Sequence, residues 1–469
     1  MLKSSINRDY LLKLLFVAVF VFATVLRFGM AFVNREAFDD HVGVISLILQ
    51  NNKLPQTEDC WECFQPKLFY FVAATAIRIA HVNPGHIHSI IIATQLMNVA
   101  AGEVLLIIVY LLIRQMQFVN RKAGLVVFAL LAFNPALIAA NGMASNDSFA
   151  ILLSSVAIYS CWRFLREDKL SFFIVSGIFV TMGIATKTNI WGTALAIFLV
   201  LLIKAFNERR FFSAMIAGAF LIGVSAATLL NPLSQYLDNI KNYGTPVTLN
   251  VVKEPFPSFF EKTYVRRPGI VSIQDGLFTF KLIELLEYPR LSLGAIGYPA
   301  HRTSLWTDVF ASANSLHFYN SPDSWHTKPD FEVSRSIFIL ALLPAALLLF
   351  GVISGWIFLL KGVFGNSKTV LFNRSYGLFD IVFVGYAIFI VVLALQYRDF
   401  STMKAVYIYP AILSFVVLTL EATNAFYIFL SRQNRWITIL FEGAILFLII
   451  MYVVDISQMI VHLYNLNVR

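Results

Sequence analysis

Long apolar segments recur along almost the entire chain, and they largely decide what it can fold into. Of the 469 residues, 58% are hydrophobic and 13% are charged, whereas a soluble domain has about 25% charged residues. A helix needs about 20 apolar residues to cross a bilayer. About eleven segments approach or exceed this length. They are residues 11–33, 88–113, 123–140, 148–164, 170–186, 190–203, 211–231, 337–360, 377–395, 404–430 and 436–454.

Basic residues predict the orientation of these spans, because cytoplasmic loops are enriched in Lys and Arg. With a cytoplasmic N-terminus, every inside connection is basic, provided that the short apolar run 67–82 does not cross. We therefore predict that 67–82 is an interfacial or re-entrant helix. The run 11–33 lacks a small-residue cleavage site and is predicted to be a retained span. The net charge of +9 is explained by the inside loops, so we expect no nucleic-acid partner.

The pattern predicts an all-α polytopic membrane protein in three parts. A transmembrane module covers 1–231 and contains a first outer loop at 34–87. Residues 232–336 are far too long for a simple connection and are predicted to form an external cap segment. Residues 337–469 supply the C-terminal transmembrane helices.

Acidic residues lie in two predicted outer loops. Asp39 and Asp40 occur in the first, and Asp147 ends the short loop 141–148 beside Asn146 and Ser148. A carboxylate at the outer membrane surface can act as a general base. Asp147 and Asp39 are also hard oxygen ligands suited to Mg²⁺ or Mn²⁺. Each acidic residue can instead cap the helix that follows it, and the residues alone do not decide between these roles.

A basic and aromatic patch follows at 396–410, at the outer mouth of a late span. Arg398 and Lys404 can hold a phosphate by charge-assisted hydrogen bonds, or they can snorkel to the interface. Tyr407 fits an interfacial aromatic belt equally well.

Cys60 and Cys63 are predicted to lie outside, in the sequence Cys-Trp-Glu-Cys. The pair can be a disulfide, half of a metal site or two free thiols. An oxidising compartment favours the disulfide, and a zinc ribbon would need a second cysteine pair.

The order of these features resembles the GT-C glycosyltransferases. Within them it is most similar to family 39, the protein O-mannosyltransferase and lipid A aminoarabinose transferase group. The resemblance rests on the acidic pair, the stretch Gln65-Pro66-Lys67-Leu68-Phe69-Tyr70, the later Asp147 and the late pattern of Lys404, Tyr407 and Pro410. It covers most of 10–230 and the patch 396–410. Lys67 replaces a proline of the family pattern, and Val406 replaces an arginine.

The resemblance implies a GT-C-like helical bundle and a polyprenyl-phosphate sugar donor. It implies that Asp39 is the catalytic base, with Asp40 and Asp147 as supporting acidic residues. Arg398, Lys404 and Tyr407 would bind the lipid phosphate, with a divalent cation as a further expectation.

The acceptor implied by the resemblance is a hydroxyl on a glycolipid, a polysaccharide or a protein. The candidates for the acceptor-binding side of the site are Gln65, Trp306 and His317. Trp306 and His317 can instead be packing residues of the cap segment. We expect a bacterial inner membrane, with the endoplasmic reticulum as the alternative. A transporter or flippase and an inactive relative are the competing hypotheses; transporters tend to show internal repeats and polar sites at the membrane midplane, and neither is evident here.

Overall fold

The computed structural model describes most of the chain, and every regular element in that part is a helix. The described residues are 2–35, 40–116, 120–208, 211–247, 272–290, 304–316, 325, 331–364, 376–397, 404–433 and 435–468. The prediction of an all-α polytopic protein is confirmed for this part of the chain.

The helices are numbered here in chain order. They are α1 (Leu2–Val33), α2 (His41–Asn51), α3 (Leu68–Ile79), α4 (Ile87–Gln115), α5 (Arg121–Ala132), α6 (Pro135–Gly142), α7 (Asp147–Glu167), α8 (Leu170–Ile184), α9 (Trp191–Glu208), α10 (Phe211–Leu230), α11 (Tyr236–Tyr243), α12 (Ile273–Phe278), α13 (Leu282–Glu287), α14 (Leu305–Asn314), α15 (Phe331–Phe364), α16 (Tyr376–Tyr397), α17 (Ile412–Leu430) and α18 (Arg435–Val468). Short 3₁₀ helices occur at Trp61–Phe64, Thr188–Ile190, Ala405–Tyr407 and Tyr409–Ala411.

Among the described residues, nine helices are long and apolar enough to cross a membrane, which makes this an integral multi-pass membrane protein. They contain nine of the eleven predicted spans. The other two predicted spans, 123–140 and 170–186, have a different form.

The predicted span 123–140 is broken into α5 and α6, which meet at a bend of 45°. Pro135 has no backbone N–H and therefore begins a new helix readily. The side chain of Asn134 caps α6 by accepting a hydrogen bond from the N–H of Leu137 at 3.0 Å. If the bent pair is one span, the number of candidate spans in the described chain becomes ten.

The predicted span 170–186 is the helix α8, which has only 15 residues. At 1.5 Å per residue it is about 22 Å long, which is less than the hydrocarbon thickness of about 30 Å. The helix α3 has 12 residues, so it is shorter still, which fits the predicted interfacial position of 67–82.

The first outer loop has a small hydrophobic core of its own. Val42 and Ile45 of α2 pack with Phe69 and Ala73 of α3 and with the start of α4. Cys60 and Cys63 form a disulfide beside this core, which settles the pairing that the sequence left open. The loop is therefore a packed unit and not a simple connection.

The described part of the predicted cap segment packs against the transmembrane helices through α14. The side-chain amide of Asn134 donates to the carbonyl of Ala313 at 2.9 Å. The N–H of Ala405 donates to the hydroxyl of Ser312 at 3.0 Å, and the N–H of Leu316 donates to the carboxylate of Asp455 at 2.7 Å. These bonds connect α14 to three separate regions of the chain.

Candidate active site

A buried ion pair lies where α7 begins and α8 ends. Lys187 follows α8, and its ammonium donates to the carboxylate of Asp147, the first residue of α7. The two side chains are only 12% and 11% exposed. The hydroxyl of Ser145 donates to the second oxygen of Asp147 at 3.2 Å. The carboxylate therefore binds a lysine, and the capping position of α7 is occupied by Asn146.

The first outer loop reaches this pair through Gln65. The side-chain amide of Asn146 donates to the carbonyl of Thr186 at 3.2 Å and to the side-chain oxygen of Gln65 at 3.5 Å. The N–H of Leu68 donates to the carbonyl of Ala185 at 2.9 Å. The beginning of α3 is thereby fixed beside the turn that carries Lys187.

The late motif reaches the same pair through Tyr407. The ammonium of Lys187 lies 5.8 Å from the centre of the Tyr407 ring, within the range of a cation–π contact. The side-chain amide of Asn189 donates to the carbonyl of Tyr407 at 3.3 Å. Lys404 occupies the position before this 3₁₀ helix and is half-buried. Asp147, Gln65 and Tyr407, which are far apart in the sequence, thus meet around Lys187.

His41 is buried at the start of α2 and shares a 2.6 Å hydrogen bond with the hydroxyl of Tyr70. Burial and, to a lesser extent, the positive charge of Lys187 lower the pKa of His41 to about 3, although the negative charge of Asp147 opposes the shift. The imidazole is therefore neutral at physiological pH. Because His41 interacts electrostatically with both Lys187 and Asp147, it lies near the ion pair. Its neutral ring can serve there as a hydrogen-bonding group.

Asp40 precedes α2 in a left-handed conformation, with φ of 57°. Its carboxylate lies over Gly43, where a β-carbon would collide with it. Partial desolvation raises the pKa of this carboxyl, although the backbone N–H groups of Trp61 and Gly43 act in the opposite direction. Asp40 is exposed, and its supporting role stays a prediction.

Trp306, another predicted site residue, makes its described hydrogen bond within the predicted cap segment. The indole N–H of Trp306 donates to the carbonyl of Leu277 at 2.8 Å, a contact that joins α14 to α12. Asp39, Arg398 and His317 lie outside the described residues.

The described residues fit the expected divalent cation poorly. Among them, no group of three or more His, Cys, Asp and Glu side chains could hold a metal ion. A cation at Asp147 would compete with the ammonium of Lys187 for the carboxylate. Because Asp39 lies outside the described part of the chain, its share of such a site stays a prediction.

Lys187 was missed in the sequence reading, although the sequence contains a signal for it. It lies between the predicted spans 170–186 and 190–203, on the side predicted to be outside. A lone basic residue there departs from the positive-inside pattern. Its partner could not be predicted, because Asp147 is 40 residues earlier and meets Lys187 only when α7 and α8 pack as a hairpin.

Lys67 was noted only as a replacement for proline, but it is a buried amine at the start of α3. Its ammonium group donates to the carbonyl of Cys63 and to that of Gln65, the latter at 3.0 Å. Burial lowers the pKa of Lys67 to about 7, with Glu62 and Asp59 acting in the opposite direction. A neutral amine still has two N–H groups, enough for both carbonyls.

We expect Lys67 to make the stability of the protein depend on pH. Between pH 7 and about pH 10 the unfolded chain retains a proton that the folded chain releases. Stability therefore rises with pH in this window, by at most about 1.4 kcal/mol per pH unit from this one group. In Lys67→Met the midpoint of thermal unfolding in detergent should rise less from pH 7 to pH 9. An equal rise in both proteins would contradict the assignment.

Comparison with known families tests the resemblance directly. Residues 65–231 match the family model described as dolichyl-phosphate-mannose-protein mannosyltransferase. The predicted resemblance to the GT-C glycosyltransferases of family 39 is confirmed. The matched segment is about a third of the chain and contains Gln65, Asp147 and Lys187 of the candidate site. No curated protein sequence matches the chain significantly.

Solved structures with a partial likeness to this chain include three proteins, each with a TM-score below 0.5. The yeast (S. cerevisiae) protein O-mannosyltransferase Pmt1-Pmt2 is 17% identical over 47% of this chain and 33% of its own, with a TM-score of 0.40. The Archaeoglobus fulgidus oligosaccharyltransferase is 13% identical, with coverages of 94% and 53% and a TM-score of 0.47. ArnT from Cupriavidus metallidurans is 15% identical, with coverages of 87% and 76% and a TM-score of 0.37. The chain thus spans about a third of the yeast protein and about half of the archaeal one.

Proposed function

We propose that this chain is a membrane glycosyltransferase. It transfers a sugar from a polyprenyl-phosphate donor to an acceptor hydroxyl on the outer face of the membrane, with inversion of configuration. The proposal rests on one observation above all. The segment that matches the mannosyltransferase family contains a buried Asp147–Lys187 pair, and this pair meets the first outer loop and the late Tyr407 motif.

The reaction we propose is a single displacement. Asp39 accepts the proton of the acceptor hydroxyl as that oxygen attacks the anomeric carbon. The bond between the anomeric carbon and the phosphate oxygen breaks, and polyprenyl phosphate leaves with the electron pair. Attack from the face opposite the phosphate inverts the anomeric configuration.

Negative charge develops on the departing phosphate, and cationic groups near it lower the barrier. Lys187 is the described residue best suited to this task. Asp147 holds its ammonium in place before the donor arrives, so no reorganisation is needed during the reaction. Lys404 and Arg398 remain our candidates for further phosphate contacts, and Tyr407 packs against Lys187.

We assign the acceptor only to a chemical class, that of molecules with a free hydroxyl. A protein, a glycolipid and a polysaccharide each supply a suitable hydroxyl. Gln65 borders the ion pair through Asn146 and is our first candidate for the acceptor side, ahead of Trp306 and His317. A bacterial inner membrane stays our expectation for location, with the endoplasmic reticulum as the alternative.

Reconstitution tests the proposal. Purified protein in liposomes is given radiolabelled polyprenyl-phosphate sugars, one sugar at a time, with a lysate or lipid extract as the source of acceptors. We expect acceptor-dependent formation of a labelled glycoside and of free polyprenyl phosphate, and a parallel reaction with EDTA tests the cation. Movement of intact donor across the bilayer without cleavage would contradict the proposal and favour a flippase.

A further inference from the structure

Three fully buried amide side chains lie between the end of α1 and the outer end of α4. They are Asn34, immediately after α1, and Gln95 and Asn98 on α4. Residues three apart on a helix share a face, so Gln95 and Asn98 point to the same neighbour. That neighbour is the segment from the end of α6 to Ser145, which leads to Asp147 at the start of α7.

These amides bind three backbone carbonyls between the last residue of α6 and Ser145. Asn34 donates to the carbonyl of Gly142 at 2.8 Å, and Gln95 donates to the same carbonyl at 2.9 Å. Asn98 donates to the carbonyls of Met143 and Ser145, each at 2.7 Å. Met143, the residue after α6, and Ser145, two residues before Asp147, are therefore held by one amide.

One of these amides also binds the backbone at the end of α1. Gln95 donates its second N–H to the backbone carbonyl of Asn34 at 2.8 Å. Asp39 follows Asn34 by five residues, a length of chain that spans at most about 18 Å. One side chain, that of Gln95, thus binds both the segment leading to Asp39 and the loop leading to Asp147.

The orientation of these amides follows from their partners. Backbone carbonyls only accept hydrogen bonds, so the nitrogen of each amide must face the loop. The side-chain oxygens of Gln95 and Asn98 are then buried without a partner among the described residues, which destabilises the folded protein. An apolar replacement relieves this destabilisation, but it also leaves backbone carbonyls without the donated bonds. Because the two effects oppose each other, we expect little net change in stability when one of the two is replaced.

We propose that Asn34, Gln95 and Asn98 are positioning residues that hold the segment before Asp147, and with it the Asp147–Lys187 pair, against the end of α1, from which the chain continues to Asp39. The inference deepens the proposed function and rests on it, because the two acidic segments must act on one donor. The amides act on the backbone that carries the acidic residues, and they contact no reacting atom.

The test compares Gln95→Met and Asn98→Leu with a matched control, Gln115→Met. Gln115 lies at the other end of the same helix and donates to the hydroxyl of Tyr159 at 2.8 Å. We expect kcat to fall about 10- to 100-fold in the two test variants, because a misplacement of about 1 Å costs this much. The donor KM should change less than about twofold, and the thermal midpoint should match that of the control.

Two outcomes of the kinetic comparison overturn the inference. One is a kcat in the test variants equal to that of Gln115→Met, and the other is a loss of kcat that follows a loss of thermal stability.

Hydrogen exchange of the backbone amides of 35–40 and 142–147 gives a readout that does not depend on activity. Faster exchange in both segments of Gln95→Met, and not in Gln115→Met, supports the inference, and unchanged exchange in either segment overturns it. If the wild type transfers no sugar, the proposed function fails while the exchange experiment still decides the positioning claim.

Discussion

Replacing Asp39 with asparagine is expected to lower kcat by about 100- to 10,000-fold, the usual contribution of a general base. Asparagine has nearly the same size as aspartate but cannot accept the proton of the acceptor hydroxyl. The donor KM should stay close to the wild-type value, because the proposed base acts on the acceptor. Initial rates of glycoside formation in liposomes measure both parameters.

Asp238→Asn is the matched control for this experiment. Asp238 is an exposed residue of α11, on the side of the membrane predicted to be outside, and it has no role in the proposed site. We expect wild-type kinetics for it. If Asp39→Asn folds and transfers sugar at the rate of Asp238→Asn, the assignment of the base is wrong.

The second large effect is expected for Lys187→Met, with kcat lowered about 100- to 1,000-fold. This is the typical loss when one group that stabilises developing charge is removed. The variant also leaves the buried carboxylate of Asp147 without its cation, which costs up to about 3–5 kcal/mol. Combining it with Asp147→Asn should restore the thermal midpoint without restoring activity. A restored thermal midpoint without restored activity would show that Lys187 contributes to catalysis as well as to stability.

Lys204→Met is the matched control for Lys187. Lys204 is a buried lysine of α9 that pairs with Asp168, at the opposite end of α7 from Asp147. The side chain of Asp168 is 75% exposed, so it remains hydrated when its partner is lost. We expect at most a small loss of kcat in this control. Equal losses of kcat in the two lysine variants would contradict a role for Lys187 in catalysis.

The helical fold could be predicted from the sequence because each span is defined by its own apolar residues. Two predicted spans have a different form in the structure because of individual residues at their ends or breaks. Pro135 and the Asn134 cap divide 123–140 into two helices, and α8 ends at Ile184, before a turn that contains Lys187. Hydropathy averages over a window and does not resolve such breaks. The disulfide could be proposed from spacing and compartment, but its alternatives could not be excluded.

The candidate site was only partly predictable. Asp147, Gln65 and Tyr407 were found because they fall in short motifs whose order resembles a family. Lys187, His41 and the amides of α4 were not, because their partners are distant in the sequence and meet only through packing. Gln95, for example, binds carbonyls 61 residues earlier and 47 residues later in the chain. Asp39 and Arg398 stay predictions, since they lie outside the part of the chain that the structure describes.

We propose that a single displacement at this site moves the sugar from phosphate to acceptor. Its most direct test is a single turnover of the wild-type protein with a polyprenyl-phosphate sugar of known anomeric configuration. We expect one glycoside for each polyprenyl phosphate released, and we expect NMR to show an anomeric configuration opposite to that of the donor. A product that retains the configuration of the donor, or a donor that stays intact with every acceptor class, would contradict it.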